Sequence, residues 1–140
     1  MAAFDHRDIF IDPDPDPKTT FAERQRLFDM GRSSWQDYNT ELLSKGGGIF
    51  PRSSKSITLS AEAQAVLGLE KATLTPNALM TSILKSEADL LWFGGIGTYI
   101  RATDENNADA GDRANDAIRI ATPDLRVKVI GEGANLGLTQ

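Results

Sequence analysis

Apolar and polar residues form short blocks along the chain, and these blocks predict strands that alternate with helices. Ala2 to Ile11 contains two apolar runs split by four polar residues, which indicates a short buried strand, a turn and a second extended segment. Ala88 to Phe93 and Arg126 to Ile130 are further apolar runs, and we predict that the first is a strand buried on both faces. Glycines follow both runs directly. This order favours an α/β fold with a parallel sheet.

Capping residues mark the predicted helices between these strands. Residues 20–23 form a capping-box pattern at the start of a helix that ends near Asp29. Ser60 caps a second helix that stops at Gly68, and Thr75-Pro76 opens a third. Two further helical segments are predicted at residues 35–43 and 114–120. The apolar residues that we expect the first and third of these helices to bury are Phe21, Leu27, Phe28, Leu79, Met80, Ile83 and Leu84.

The ends of the predicted strands are candidate ligand-binding positions. In an open α/β sheet, ligands bind outside the carboxyl ends of the strands, where glycines let backbone amides approach the ligand closely. Gly94 to Gly97 follow the second predicted strand, and Gly131 to Asn135 follow the third. Asp5 closes the first strand, where an acidic residue accepts the ribose hydroxyls of a dinucleotide. An Asp in this position is also a common turn residue, so both interpretations of Asp5 stay open.

The glycine fingerprint of dinucleotide-binding folds has no counterpart before Asp5. G-x-G-x-x-G is expected about 20 positions before the acidic residue, whereas only four residues precede Asp5. Residues 94–97 lack a third glycine and a helix directly behind them. We therefore predict a partial Rossmann-like open parallel sheet with flanking helices that lacks its first strand and its glycine fingerprint. Residues 1–140 would be one truncated domain, cut from a larger chain, with an insertion at about 12–43.

Five other segments allow both a functional and a structural interpretation. The alternating Asp-Pro run at residues 12–17 is too stiff to wrap around calcium and predicts a connector. Gly46 to Gly48 lacks the ending of a P-loop, so a packed turn is favoured over a phosphate cradle. We interpret Lys45 as a surface charge and His6 as a turn residue. Residues 112–116 form either a family-specific contact or the solvated start of a helix, and we favour the second.

Composition and charge exclude several classes of function. The 140 residues are 40% hydrophobic and 25% charged, as in ordinary globular domains. The absence of cysteine excludes disulfides, thiolate zinc sites and cysteine nucleophiles. A net charge of -5 argues against nucleic acid as a partner. No apolar stretch has the length of a membrane span, and no leader pattern opens the sequence. We expect a cytoplasmic protein with a small-molecule partner.

Five segments together resemble one enzyme family. They read AFDHRDIFIDP at residues 3–13, SKGGGIF at 44–50, LLWFGGIGTY at 90–99, GDRANDA at 111–117 and VIGEGANLG at 129–137. Taken in this order, they resemble the very large bacterial NAD-specific glutamate dehydrogenases. The resemblance implies an enzyme that reversibly deaminates L-glutamate to 2-oxoglutarate and ammonia, and that passes hydride to NAD held on a Rossmann-like domain.

The resemblance also implies roles for residues of this chain. Asn135 matches the asparagine near the nicotinamide ribose, and Asp5 resembles the acidic residue that takes the adenosine ribose. The residues expected to border the cofactor are Gly94, Gly95 and Ile96. The glutamate-binding lysines and aspartate of the family lie in a substrate domain that resembles nothing here. We therefore expect no catalytic residue in this chain, no turnover by it alone, and partners among the remaining domains of its parent. The alternative is a nucleotide-binding or packing module without redox chemistry.

Overall fold

Two compact units make up the described part of the chain. The computed structural model describes residues 1–134 and 136–139. Unit 1 is Met1–Pro76 and unit 2 is Asn77–Gln140. The described residues contain four small sheets, of which two are antiparallel and two are parallel. The fold is mixed α/β with two small parallel strand pairs, which confirms the predicted α/β class. The single open parallel sheet stays a prediction, and the strand before Asp5 pairs antiparallel. Within these ranges, no helix combines the length and the hydropathy that a bilayer crossing requires.

Unit 1 is built on a three-stranded antiparallel sheet in the order β1-β2-β3. The strands are β1 (Ala2–Phe4), β2 (Asp8–Ile11) and β3 (Gly48–Pro51). Every residue of the central strand β2 is buried, and Phe10 packs in a core cluster with Leu27 and Tyr38. The two apolar runs at the N-terminus are thus β1 and β2, as predicted. They pair with each other as a hairpin, and the polar residues between them form its turn.

The first helix, α1 (Pro17–Asp29), starts three residues before its predicted start. Asp16 is the N-cap, because its Oδ1 accepts a hydrogen bond of 2.8 Å from the backbone N of Thr19, and Pro17 suits the first helical position. The predicted burial of Phe21 and Phe28 is wrong, since their exposed fractions are 63% and 80%. The buried face of α1 consists of Thr20, Glu23 and Leu27. A polar contact network therefore occupies much of the face that apolar packing was expected to fill.

Glu23 is the centre of that network. Its Oε1 lies 2.6 Å from Nη2 of Arg26, and its Oε2 accepts a hydrogen bond of 2.8 Å from Nε of the same arginine. The backbone N of Asn39 donates to Oε1 at 2.7 Å. The hydrogen bonds from Arg26, helped by that from Asn39, lower the pKa of Glu23 to about 2. A buried carboxylate with three such bonds is satisfied only in its ionised form.

We expect acid to weaken unit 1 through Glu23. Because the folded pKa lies below the unfolded value, the stabilisation is fully present above the unfolded pKa and is lost as the pH falls towards 2. Denaturant unfolding of wild type and of Glu23→Gln over this acidic range checks the prediction. The stability difference between the two proteins should be largest near neutral pH and shrink on acidification. A difference that stays constant down to the folded pKa would contradict it.

The rest of unit 1 follows local sequence signals closely. Two short 3-10 turns, Trp35–Asp37 and Thr40–Leu42, replace the single helix predicted at residues 35–43, because Ser34 and Asn39 each cap a separate turn. Helix α2 (Ala61–Leu67) is confirmed with its predicted cap and stop. The remaining strands of this unit, β4 (Ile57–Thr58) and β5 (Thr73–Leu74), form an antiparallel pair.

The glycine run before β3 is a packed turn. Gly46 has a φ of +81°, and a Cβ added there would lie 2.4 Å from Oγ of Ser60. Lys45 is exposed, and its Nζ lies 2.7 Å from Oε1 of Glu62. The space that a phosphate would need beside Gly46 is therefore filled by the start of α2. These contacts agree with the interpretation of the glycines as a packed turn and of Lys45 as a surface charge.

Unit 2 contains the predicted helix and a parallel strand pair. Helix α3 (Pro76–Leu84) buries the four apolar side chains predicted for it, namely Leu79, Met80, Ile83 and Leu84. Strands β6 (Ala88–Phe93) and β9 (Val127–Glu132) pair in parallel, with Phe93 opposite Glu132. Strands β7 (Ile100–Arg101) and β8 (Ile120–Ala121) form the second parallel pair. The helix predicted at residues 114–120 is wrong, because a 3-10 turn at Arg113–Asn115 is followed by β8.

Strand β6 is not buried on both faces as predicted. The exposed fractions are 54% for Leu90, 61% for Trp92 and 58% for Val129, which lies opposite Leu90 on β9. Phe93 is buried on the other face. A parallel strand is buried twice only where a layer covers each face of its sheet. In the part of the chain that the structure describes, one apolar face of the β6-β9 pair is left open to solvent.

Candidate functional site

The carboxyl ends of β6 and β9 bring two glycine-rich loops together. We name them the β6 loop (residues 94–98) and the β9 loop (residues 133–137). The two loops leave the same end of the sheet because the strands are parallel and in register at Phe93 and Glu132. The backbone N of Gly133 donates a hydrogen bond of 2.8 Å to the carbonyl O of Phe93. Asn135, predicted to bind the cofactor, lies outside the described residues.

The glycines of the β6 loop differ in what a side chain would meet. A Cβ at Gly95 would meet no atom within 4 Å, so this residue faces open space. At Gly94 it would lie 3.2 Å from Nε1 of Trp92. Ile96, beside them, exposes 93% of its surface. The three residues predicted to border a cofactor therefore form a small, accessible surface.

Gly97 is required by the backbone of this loop. Its φ of +140° lies where residues with a side chain are strained, and a Cβ there would lie 2.7 Å from Cζ of Tyr99. We expect Gly97→Ala to lower the free energy of unfolding by about 1 kcal/mol. Denaturant unfolding of the purified chain measures this effect. Gly95→Ala is the control, since it adds the same methyl group in open space. Equal stabilities of both variants would contradict the argument.

Trp92 is a neighbour of both loops that the sequence prediction missed. A Cβ at Gly131 would lie 2.4 Å from Cε3 of its indole, and one at Gly133 would lie 2.7 Å from Cζ2. The indole therefore occupies the space that a side chain at either glycine would need. The apolar pattern at residues 88–93 could not reveal this, because it depends on the register that sets Trp92 opposite Gly131.

The polar segment at residues 111–119 contacts the β6 loop. Oδ2 of Asp112 accepts a hydrogen bond of 2.8 Å from the backbone N of Thr98 and one of 2.7 Å from Nδ2 of Asn115. These bonds, with the nearby charge of Arg119, hold the pKa of Asp112 below its usual value. The favoured prediction of a solvated helix start agrees with the exposed or half-buried 3-10 turn at Arg113–Asn115, but it did not include the contact of Asp112 with Thr98. Asp112 stabilises a loop fourteen residues away in the chain, and the residues next to Asp112 in the sequence give no indication of that contact.

Asp5, the third predicted site, lies in the β1-β2 turn of unit 1. Its Oδ1 accepts hydrogen bonds from the backbone N of Arg7 at 2.7 Å and of Asp8 at 2.8 Å. Nη1 of Arg52 donates to the carbonyl O of Asp5 at 2.6 Å. The carboxylate thus stabilises the turn, and His6 is an exposed residue of the same turn. The turn interpretation of both residues agrees with this geometry, and it leaves the role of Asp5 in ligand binding as a prediction.

A cavity of about 300 Å³ opens beside Asp5 within unit 1. It is lined by Asp5, Arg24, Leu27, Phe28, Ser33, Ser34 and Trp35. This volume is at the lower end of the range of small-molecule sites, about 300 to 1,000 Å³. Aromatic faces, one carboxylate and one guanidinium are a combination suited to a flat ring with an attached polar group. Among the described residues, no group of three His, Asp or Glu side chains is arranged to hold a metal ion.

Comparisons with known proteins cover the whole chain. The family model for the catalytic domain of bacterial NAD-glutamate dehydrogenase matches residues 1–140. The chain is 57% identical over 140 residues to the NAD-specific glutamate dehydrogenase of Halomonas elongata. It is 53% identical over 140 residues to that of Pseudomonas aeruginosa and 52% identical over 145 residues to that of Mycobacterium tuberculosis. These alignments cover 99% or more of this chain and 9% of each relative, so the chain spans less than a tenth of their length.

Proposed function

We propose a function on the basis of family membership. The chain belongs to the bacterial NAD-glutamate dehydrogenase family, whose catalytic-domain model matches residues 1–140. The proposal is that this chain supplies part of the NAD site of a longer enzyme. That enzyme would reversibly deaminate L-glutamate to 2-oxoglutarate and ammonia. Since the chain spans 9% of its relatives, the groups that bind and activate glutamate would lie in the remaining domains.

The meeting of the β6 and β9 loops is the observation that supports this proposal most. Both loops leave the carboxyl ends of parallel strands, where α/β proteins bind nucleotides. Open space at Gly95 leaves room for a ligand to contact the backbone, and the exposed Ile96 offers an apolar contact. NAD would supply the hydride acceptor. The role of Gly94, Gly95, Ile96 and Asn135 would be to bind its nicotinamide half and to orient it.

For unit 1 taken by itself, we propose that Asp5 and the cavity beside it bind the adenosine part of a dinucleotide. A carboxylate offers about four lone-pair positions, so the two turn hydrogen bonds on Oδ1 leave capacity for ribose hydroxyls. Trp35 and Phe28 line the same cavity, and aromatic side chains suit an adenine ring. Arg24 adds a positive charge beside the position of the ribose.

We also propose that the chain is a truncated Rossmann-like domain. The parallel β6-β9 pair with its glycine loops supports this fold, and the missing strand and glycine fingerprint would come from elsewhere in the parent chain. The segment between β2 and β3 supports the predicted insertion at about 12–43. These two strands pair directly, so the residues between them leave the sheet and return to it.

A non-redox packing module is the second candidate function. The exposed apolar side chains of Leu90, Trp92 and Val129 favour it, because such a stripe suits contact with another domain. The two functions differ in their demands on the loops. A packing module would tolerate changes at Gly95 and Asn135 without any change in cofactor affinity.

Steady-state kinetics of the full-length enzyme test the proposed function. We expect the wild-type enzyme to oxidise glutamate with NAD, and the 140-residue chain alone to show no turnover. Asn135→Ala in the full-length enzyme should raise the KM for NAD about tenfold, because it removes one or two hydrogen bonds to the bound ligand. The KM for glutamate should change much less. An unchanged KM for NAD would favour the packing module.

A further inference from the structure

Arg119 carries a charge whose side chain is fully buried. Its Nε donates a hydrogen bond of 2.9 Å to the carbonyl O of Thr98. Its Nη1 lies 2.5 Å from Oδ1 of Asp116, and its Nη2 donates to the carbonyl O of Asp112. Burial of a guanidinium is costly unless every donor group finds a partner. Each of the three guanidinium nitrogens has a hydrogen-bond partner here, so the side chain of Arg119 is held in place within unit 2.

Thr98 is the last residue of the β6 loop, and both its backbone N–H and its carbonyl O are hydrogen-bonded to side chains. Asp112 accepts from its N–H, and Arg119 donates to its carbonyl O. Because Arg119 also binds the backbone of Asp112, the two residues act as one clamp. The position of the β6 loop is therefore set by Asp112 and Arg119, which lie outside both loops.

Thr98 transmits this constraint to the β9 loop. Its Oγ1 donates a hydrogen bond of 2.7 Å to the carbonyl O of Leu136. Leu136 has a φ of +57°, an unfavourable conformation for leucine that persists only where neighbouring contacts impose it. The backbone N of Tyr99 adds a bond of 2.9 Å to the carbonyl O of Gly137. The two glycine loops are thus joined to each other through the residues that follow the β6 loop.

We propose that Arg119, Asp112 and Thr98 are positioning residues that hold both glycine loops in the geometry that binds NAD. The inference rests on the proposed function of these loops. Without the clamp, the loops would lose conformational entropy when the cofactor binds. This cost would make the binding free energy less favourable. Cofactor affinity then depends on buried groups that do not themselves touch the cofactor.

The test uses the full-length enzyme and two matched sets of variants. Thr98→Val removes only the hydroxyl that joins the loops, whereas Thr98→Ser keeps it. Arg119→Lys keeps the charge, but its single ammonium nitrogen cannot replace the three guanidinium nitrogens that bind three different acceptors. Arg113→Lys is the control, because Arg113 is exposed in the same segment. For each variant the KM for NAD, the KM for glutamate, kcat and the melting temperature are measured.

We expect Thr98→Val and Arg119→Lys to raise the KM for NAD about tenfold while the KM for glutamate changes less than twofold. Thr98→Ser should recover most of the affinity, and Arg113→Lys should match wild type. A lower melting temperature with an unchanged KM for NAD would overturn the inference, since the clamp would then be structural only. An equal rise in both KM values would overturn it as well.

Gly95→Val distinguishes a failure of this inference from a failure of the proposed function. If Gly95→Val raises the KM for NAD and Thr98→Val does not, the loops bind NAD but the clamp does not position them. If neither variant changes the KM for NAD, the assignment of the loops to the cofactor fails together with the clamp.

Discussion

Replacing Gly95 with valine is expected to weaken NAD binding by the full-length enzyme about a hundredfold, or about 2.7 kcal/mol. A Cβ at this position meets no protein atom within 4 Å, so we expect the substitution to cost little in the folded state. The same open space is where the proposed site needs a close approach between backbone and cofactor. Valine would fill it with a branched side chain that the ligand must avoid. The dissociation constant for NAD, measured by calorimetry, checks the loss of affinity. The melting temperature checks that the variant remains folded.

The matched control for Gly95→Val is Ala108→Val. Ala108 is exposed and bonds with Asn106 and Gly111 rather than with the clamp residues, so it accepts similar added bulk away from the loop tip. We expect wild-type affinity for this variant. Unchanged affinity for Gly95→Val in a folded enzyme would mean that the β6 loop does not contact NAD. The exposed glycines would then serve only the turn that follows β6.

Replacing Asp5 with asparagine is the second large effect that we expect. Asparagine keeps a carbonyl oxygen for the N–H groups of Arg7 and Asp8, so the turn should remain folded. It loses the negative charge, and hydrogen bonds to charged groups contribute about 1.5 to 3 kcal/mol. NAD affinity should therefore fall about thirtyfold. The preference against NADP should also weaken, because the repulsion of its 2′-phosphate is removed while Arg24 remains in the cavity.

Dissociation constants for NAD and NADP, measured on wild type and Asp5→Asn, test this assignment. Asp14→Asn removes one exposed carboxylate outside the cavity and is expected to leave both constants unchanged. If Asp5→Asn retains wild-type values for both cofactors, Asp5 is a turn residue without a role in binding.

Local signals were sufficient to predict several elements from the sequence. Helix α2 begins after Ser60 and ends before Gly68, which has a φ of +66°. Helix α3 begins at the proline that was expected to open it, and its four predicted apolar residues are buried. Caps, glycine stops and helical periodicity act within a few residues of each other. Such elements are readable without knowledge of the tertiary fold.

Features that depend on distant contacts were not predictable in the same way. Phe28 matches the pattern of a buried residue but is exposed, because α1 buries its other face, which carries Thr20, Glu23 and Leu27. The apolar run of β6 gave no indication that Trp92 would lie exposed across Gly131. The role of Asp112 depends on its contact with Thr98, which the sequence leaves far away. The end of β6 was located correctly, and β9 extends two residues beyond its predicted end at Ile130. The residues that hold the loops in place were missed.

Amide hydrogen exchange of the full-length enzyme, with and without NAD, tests the assignment of the cofactor site most directly. We predict slower exchange in the presence of NAD for peptides that cover residues 94–98, residues 133–137 and the turn that follows Asp5. Glutamate alone should leave these peptides unchanged. Protection by NAD that is confined to other parts of the enzyme, with these three segments exchanging at their original rates, would contradict the account.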